Sequence, residues 1–352
     1  MQYMFTKIFK KLWNNMKTTL SFFRLPADIC IDLGTANTLV FVKGKGIVVN
    51  EPSVVAIKTE SDGKTKVLAV GNEAKMMVGR TPANIHAIYP MKDGVIADYE
   101  VAETMIKEFI KKANKSVFLT SRVLICTPYG ATPVDRKAIH DSAIAAGARK
   151  VILVDEPLAA AIGANLSVAM PQGLMIVDIG GGTTEIAALS LGSIACAKSH
   201  NVGGYKMDEA IKEYISRNFN VKIGDSTAES IKKEIGCAYG DLKKEMTIKG
   251  FDMHSNSPKE IRITSKDIKS CLEPLLATIG DAIKRIFDNR EIGYDLCGDI
   301  ARDGIVLSGG GALLSGFDKF LTEHTGLQVT IAPDPLLCVV NGLEKISEVK
   351  DI

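Results

Sequence analysis

The pattern of apolar and polar positions predicts two strand–turn–strand units of the same grammar. Residues 29–42 read Ile-Cys-Ile-Asp-Leu-Gly-Thr-Ala-Asn-Thr-Leu-Val-Phe-Val: an apolar strand, a tight turn and a second strand. Residues 174–189 read Leu-Met-Ile-Val-Asp-Ile-Gly-Gly-Gly-Thr-Thr-Glu-Ile-Ala-Ala-Leu and repeat it. In both, an Asp closes the first strand and glycine and threonine fill the turn. The two acids, Asp32 and Asp178, stand near the start of each half of the chain. Elsewhere, residues 101–113 and 268–290 carry apolar side chains at helical spacing. The glycines of 44–46 and the Asp62-Gly63 pair mark hairpin turns between β-branched runs, and Ser-Asn-Ser-Pro at 255–258 reads as a surface turn. Residues 227–236 predict a helix with Thr227 as its N-cap. An apolar strand at 151–154 runs into Asp155-Glu156-Pro157 and an alanine-rich helix.

The first residues follow another pattern. Met1, Met4, Phe5, Ile8, Phe9, Leu12, Trp13 and Met16 fall on one helical face for four turns, with Lys7, Lys10, Lys11 and Lys17 among the polar residues opposite. Up to Asp28 there are basic residues and no acid. An aromatic face backed by lysines predicts a helix lying in a membrane interface and drawn to anionic lipid. A secretory signal needs an unbroken apolar run of about 7–15 residues, and the lysines interrupt every such window. A helix packed on the protein's own core is the competing reading, but a core face seldom needs so many lysines. Pro26 ends the segment. A start at Met16 would leave only a stub at 17–25.

Composition narrows the class. A chain of 352 residues, 46% hydrophobic and 24% charged, suits two globular domains. A net charge of +2 lacks the basic excess of a nucleic-acid binder. The seven cysteines are odd in number and never form a CxxC pair, which predicts reduced thiols in a cytosol. The five histidines are isolated and receive no metal role. No stretch approaches the ~20 apolar residues of a membrane span.

The duplicated turns carry the candidate chemistry. Gly34 in the first, and Gly180, Gly181 and Gly182 in the second, let backbone N–H groups approach phosphate oxygens with no Cβ in the way. Thr35, Thr183 and Thr184 add hydroxyls. Asp32 and Asp178 are placed to hold the waters of a Mg²⁺ ion, which keeps several waters and few protein ligands. Two facing hairpins would clamp a nucleotide's phosphates from both sides. Neither copy matches GxxxxGK[ST] or opens directly into a long helix, so the Walker and Rossmann readings fit poorly.

Asp-Leu-Gly-Thr-Ala-Asn-Thr at 32–38 and Asp-Ile-Gly-Gly-Gly-Thr-Thr-Glu at 178–185 resemble the two phosphate loops of the actin, Hsp70 and sugar-kinase superfamily. The first form, with Gly-Ile-Val-Val-Asn-Glu-Pro-Ser-Val-Val at 46–55, Asp-Gly-Val-Ile-Ala-Asp-Tyr at 93–99, Glu-Pro-Leu-Ala-Ala-Ala-Ile-Gly at 156–163 and Ser-Gly-Gly-Gly-Ala-Leu-Leu at 308–314, is similar to the MreB family of bacterial actins. The resemblance spans residues 28 to about 345. It implies an α/β, actin-like ATPase fold, with two RNase H-like lobes around a nucleotide cleft, each with a small inserted subdomain. Lobe I would take 27–163 and 338–352, with an insertion at about 56–98. Lobe II would take 164–337, with an insertion at about 205–268.

The resemblance also implies site roles. Glu156 would position the water, with Thr183 its partner and Asp178 in the catalytic group. Members of the family typically have Glu where this chain has Asp155. ATP and Mg²⁺ would be held by Asp32, Gly34, Thr35, Ala36, Asn37, Gly180, Gly181, Gly182 and Thr183. Glu229, Ser230, Ile231 and Lys232 would border the nucleoside, and Gly309, Gly310, Gly311 and Ala312 would lie under the adenine. Phe118 and Leu119 would share membrane contact with the N-terminal segment. The implied activity is slow ATP hydrolysis coupled to polymerisation, in filaments on the inner face of the cytoplasmic membrane. The implied partners are further copies of the chain and cell-wall elongation proteins such as MreC, MreD and RodZ, and the implied role is rod shape. A small-molecule kinase of the same superfamily is the alternative, and a chaperone ATPase is a third reading. The kinase reading expects longer insertions and has no use for a membrane anchor. The chaperone reading expects a long substrate-binding region after the third glycine loop.

Overall fold

The computed structural model describes residues 28–60, 64–92, 94–113, 122–288 and 292–349. The expected interfacial face of Phe5, Ile8, Phe9, Leu12 and Trp13, the loop bearing Phe118 and Leu119, and the Asp62-Gly63 turn lie outside these residues.

Two five-stranded sheets share one plan. In the first, Ile29–Leu33 has antiparallel Asn37–Val42 and then Gly46–Pro52 on one side, and parallel Arg122–Thr127 and Lys150–Asp155 on the other. In the second, Leu174–Ile179 has antiparallel Thr184–Ser190 and Ser193–His200 on one side, and parallel Ile305–Ser308 and Val329–Ile331 on the other. Parallel neighbours need crossover connections, and helices such as Pro133–Ala145 and Phe317–Thr325 supply them. The central strands are apolar along nearly their whole length because both sheet faces are covered. The acid near the end of each, Asp32 and Asp178, is the exception.

Helix boundaries follow caps more than apolar spacing. The helix expected at 101–113 starts at Tyr99, because Asp98 Oδ1 accepts the Val101 N–H at 3.1 Å. The long helix expected at 268–290 is Ser265–Asp288. Thr264 and Asp267 close its start reciprocally: the Asp267 N–H donates to Thr264 Oγ1 at 3.3 Å and the Thr264 N–H to Asp267 Oδ2 at 2.8 Å. Thr227 is not a cap. Its helix is Asp225–Ile235, opened by Gly224, with Asp225 in the first turn where a carboxylate meets the helix dipole. The turn expected at 255–258 closes at Asn256, with φ 49°, and Ser257 and Pro258 already pair in a strand with Asp252 and Phe251.

Helices Glu156–Gly163 and Cys338–Ser347 lie between the two sheets. Cys30, Leu124 and Cys126 from one sheet and Ile176, Ala187 and Leu189 from the other bury against Ala159, Ala160, Ala161, Val340 and Leu343. The helices cross with almost no gap. A Cβ on Gly163 would lie 1.7 Å from the Cys338 carbonyl oxygen, and one on Gly342 would lie 1.9 Å from that of Ala159. All seven cysteines are free thiols, and those in this layer serve as small core residues. Each sheet has its own helix-packed core on its other face.

Two three-stranded sheets stand apart from the main pair: Val55–Thr59 between Thr65–Val70 and Ile85–Ile88, and Glu245–Asp252 between Val221–Lys222 and Ser257–Thr264. Among the described residues no helix is long and apolar enough to cross a membrane.

Candidate functional site

A cavity of ≈ 640 Å³ opens where the carboxyl ends of the two central strands meet. Open α/β sheets place ligands at such strand ends. Asp32, Gly34, Thr35, Ala36 and Asn37 line it from the first hairpin, and Asp178, Gly180, Gly181 and Thr183 from the second. The hairpins touch, since a Cβ on Gly181 would lie 2.5 Å from that of Ala36.

Each hairpin has its carbonyls held from behind. In the first, the Ser53 hydroxyl donates to the Gly34 carbonyl at 2.6 Å and the Ser53 N–H to that of Ala36 at 3.0 Å. In the second, the Gly204 and Tyr205 N–H groups, at the start of helix Gly204–Phe219, donate to the Gly180 and Gly181 carbonyls at 3.0 and 2.8 Å. A peptide unit is planar, with N–H and C=O on opposite sides. Anchoring the carbonyls therefore turns the loop N–H groups the other way, as an anion cradle requires.

The third glycine loop is a single 3₁₀ turn, Gly310–Leu313, after strand Ile305–Ser308. Gly309 has φ +80°, and a Cβ there would lie 2.4 Å from the Ile179 carbonyl oxygen and 2.7 Å from Asp178 Oδ1. Beside it Ser308 donates to Asp178 Oδ2 at 2.6 Å, which fixes that carboxylate. Gly309, Gly310 and Gly311 line the cavity, whereas Ala312 is wholly buried in the core.

Asp32, Asp178 and Glu156 line this floor, and Glu185 pairs with Asp178 across the hairpin behind it. Burial pushes Asp32 up to about 7, with the charge of Asp178 adding to it. Burial pushes Asp178 up to about 6 against the opposing Ser308 hydrogen bond. Glu156, the first residue of its helix, is raised well above the carboxylate range by burial and then by Asp178, Asp32 and Glu185. Glu185 rises to about 7, mainly through burial. Such a cluster favours either protons or a cation. Among the described residues no three His, Cys, Asp or Glu side chains converge closely enough to ligate a metal directly. A hydrated Mg²⁺ fits this donor set, because it takes few protein ligands and completes its shell with water and phosphate.

The raised acids make a prediction about the ligand-free protein. Between about pH 4 and 7 the folded state retains protons that the unfolded chain releases. Stability therefore falls as pH rises through that window. Asp32→Asn should raise the melting temperature at pH 7.5 and flatten its fall between pH 5.5 and 7.5. Equal slopes for variant and parent in thermal melts would contradict this.

At the far end of the cavity Glu229 and Lys232 line the wall. The Lys232 ammonium lies 2.8 Å from both the Gly204 carbonyl and Asp208 Oδ1. Their neighbours on the helix turn elsewhere. Ser230 donates back to the Ser226 carbonyl at 3.0 Å, and Ile231 is fully buried in the core. Gly182 does not line the cavity either; a Cβ on Gly203 would lie 2.8 Å from its carbonyl carbon. Asp155, next to Glu156, is bound by Arg136.

Several lining residues escaped the sequence reading: Gly204, Tyr205, Asp208, Pro335, Leu336 and Val339. The Gly203-Gly204 pair ahead of a helix was a usable signal; the others carried none. Across the mouth Lys75 pairs with Glu229 at 3.2 Å, the rings of Tyr89 and Tyr205 meet at 5.7 Å, and the Tyr205 hydroxyl reaches the Thr35 carbonyl at 3.4 Å. These contacts join segments far apart in the chain.

The family described as MreB/Mbl protein matches residues 26–352. The cell shape-determining protein MreB of Escherichia coli (strain K12) is 49% identical over 329 residues, covering 92% of this chain and 94% of that protein. The chain belongs to the MreB/Mbl family. The cell shape-determining protein Mbl of Bacillus subtilis (strain 168) is 47% identical over 317 residues, covering 90% of this chain and 94% of that protein. Among solved structures, MreB5 of Spiroplasma citri bound to ADP superposes with a TM-score of 0.86 at 38% identity, covering 92% of this chain and 96% of that one. The MamK double helical filament shares the fold, with a TM-score of 0.76 at 21% identity over 92% of this chain and 99% of that one. The two sheets of one plan around a shared cleft are thus those of the actin-like fold.

Proposed function

We propose that this protein binds ATP with Mg²⁺ in the cleft, hydrolyses it slowly, and polymerises on the inner face of the cytoplasmic membrane as a scaffold for cell-wall elongation and rod shape. The observation that carries this reading is the contact of Gly181 with Ala36, which brings two carbonyl-anchored hairpins and Asp32 and Asp178 to one cavity. MreB5 of Spiroplasma citri has been solved with ADP and with AMPPNP, MamK forms a double helical filament, and the family relatives are cell shape-determining proteins.

In this reading Thr35, Ala36 and Asn37 face Gly180, Gly181 and Thr183 across the phosphates. Glu229 and Lys232 border the nucleoside, and Gly309, Gly310 and Gly311 lie under the base. Mg²⁺, held through water by Asp32 and Asp178, would offset the charge of the phosphates. Glu156, with Thr183, orients water in line with the terminal phosphate, and burial keeps this carboxylate a better proton acceptor than an exposed one. We assign lobe I to 27–163 with 338–352 and lobe II to 164–337, so that nucleotide contacts to both favour the closed state.

Membrane attachment is assigned to the 1–26 segment, with Phe118 and Leu119, and many weak anchors on one polymer add by avidity. MreC, MreD and RodZ are the partners this reading expects. Calorimetry with Mg-ATP, followed by negative-stain microscopy on anionic liposomes, tests it. Sub-millimolar binding and membrane-bound filaments are expected. Absence of nucleotide binding refutes it, and phosphorylation of a small alcohol without filaments supports a kinase instead.

A further inference from the structure

One buried carboxylate beside the cleft floor has no task in the hydrolysis scheme above. Glu185 pairs across the second hairpin with Asp178, and it is 1% exposed. Its Oε1 accepts the Ser199 hydroxyl at 2.6 Å. The backbone of Tyr129, just past strand Arg122–Thr127 of the other sheet, favours the charged form of the same carboxylate. Ser199 is itself packed on that segment, since a Cβ on Gly130 would lie 3.2 Å from the Ser199 Cβ. Through Ser199, Glu185 is thus tied to the other sheet.

The other oxygen, Oε2, is buried without a hydrogen-bond partner among the described residues. So is Thr127 Oγ1, two residues before Tyr129 on the facing strand. Leaving such atoms unsatisfied is unfavourable, and native proteins meet the need with ordered water held by two to four polar groups. Thr127 pairs in register with Asp155, next to Glu156, and the charge of Glu185 adds to the rise of Glu156.

We propose that Glu185 is a positioning residue for hydrolysis: with Thr127 it holds an ordered water that orients Glu156 toward the attacking water, and the packing of Ser199 on Gly130 assembles this relay only when the two sheets close on each other. The proposal rests on the ATPase reading above. Glu185 itself touches neither nucleotide nor the reacting water.

Glu185→Gln keeps the side chain's shape and an acceptor for Ser199 while removing a carboxylate oxygen. Thr127→Val removes the other buried polar atom without changing volume much. Each should lower kcat by roughly 10- to 100-fold, the range for a group that positions another. The Mg-ATP dissociation constant should stay within about 2-fold of the parent. Acting on one water, the double variant should be no slower than the slower single variant. An unchanged kcat, a fully additive double variant, or loss of affinity in step with rate would overturn the proposal. A high-resolution crystal structure is independent of turnover: it should show water bound by Glu185 Oε2 and Thr127 Oγ1, and direct contact of these atoms with protein groups instead would also overturn it. If the parent binds no nucleotide, the ATPase reading fails, whereas the crystallographic water still decides the local arrangement.

Discussion

Replacing Gly163 or Gly342 by alanine destabilises the whole protein, by about 3 kcal/mol or more each, beyond the usual range for an overfilled core. In an exposed helix the same change stabilises by up to about 1 kcal/mol, so the sign alone is diagnostic. The reason is the crossing of helices Glu156–Gly163 and Cys338–Ser347 between the two sheets. The added methyl on Gly163 would meet the Cys338 carbonyl oxygen at 1.7 Å and its carbon at 2.6 Å. The methyl on Gly342 would meet the Ala159 carbonyl oxygen at 1.9 Å. These are backbone atoms of packed helices, not the movable end of a side chain. Relief requires the helices to part, which loosens the contacts of Ala160, Ala161, Val340 and Leu343 with both sheets. Against a typical stability of about 5–15 kcal/mol, the valine variants should fail to accumulate in soluble form. Calorimetric melting of the alanine variants checks this, and midpoints equal to the parent's would show the crossing to be looser than described.

Glu156→Gln should lower the rate of ATP hydrolysis by about 10²- to 10⁴-fold, the usual contribution of a positioned acid or base, with nucleotide affinity largely kept. Glu156 opens its helix at the end of strand Lys150–Asp155 and lines the cavity with Asp32 and Asp178. Its acidity is weakened by burial and by three neighbouring acids. The adjacent Asp155 is the natural control. Bound by Arg136, it is engaged away from the hydrolytic group, and Asp155→Asn should leave the rate near that of the parent. Single-turnover phosphate release with both variants separates the two positions. A slow Asp155→Asn beside a fast Glu156→Gln would reverse their roles.

Local chemistry was readable where it depends on neighbours in the chain. An apolar run, an acid, glycine and a second apolar run predict a hairpin at 29–42 and again at 174–189, and both formed. The helical spacing at 101–113 and 268–290 falls in helices, whose starts lie a little upstream at the caps, Asp98 and the Thr264–Asp267 pair. Thr227 was a plausible cap on residue type, yet the helix begins earlier at Asp225. In the same helix, sequence could not tell which of Glu229, Ser230, Ile231 and Lys232 face a ligand. Glu229 and Lys232 line the cavity while Ile231 packs inward, a matter of helix rotation against the core.

The chain alone therefore determined the duplicated hairpins, their acids and their glycines, because strand period and turn geometry act over a few residues. Only the folded arrangement decided that Gly181 meets Ala36, that Gly163 lets two helices cross, and that Lys75 reaches Glu229. The weakened acidity of Asp32, Asp178, Glu156 and Glu185 belongs to the same class. Desolvation and mutual repulsion depend on groups brought from distant segments, and no local pattern records that sum.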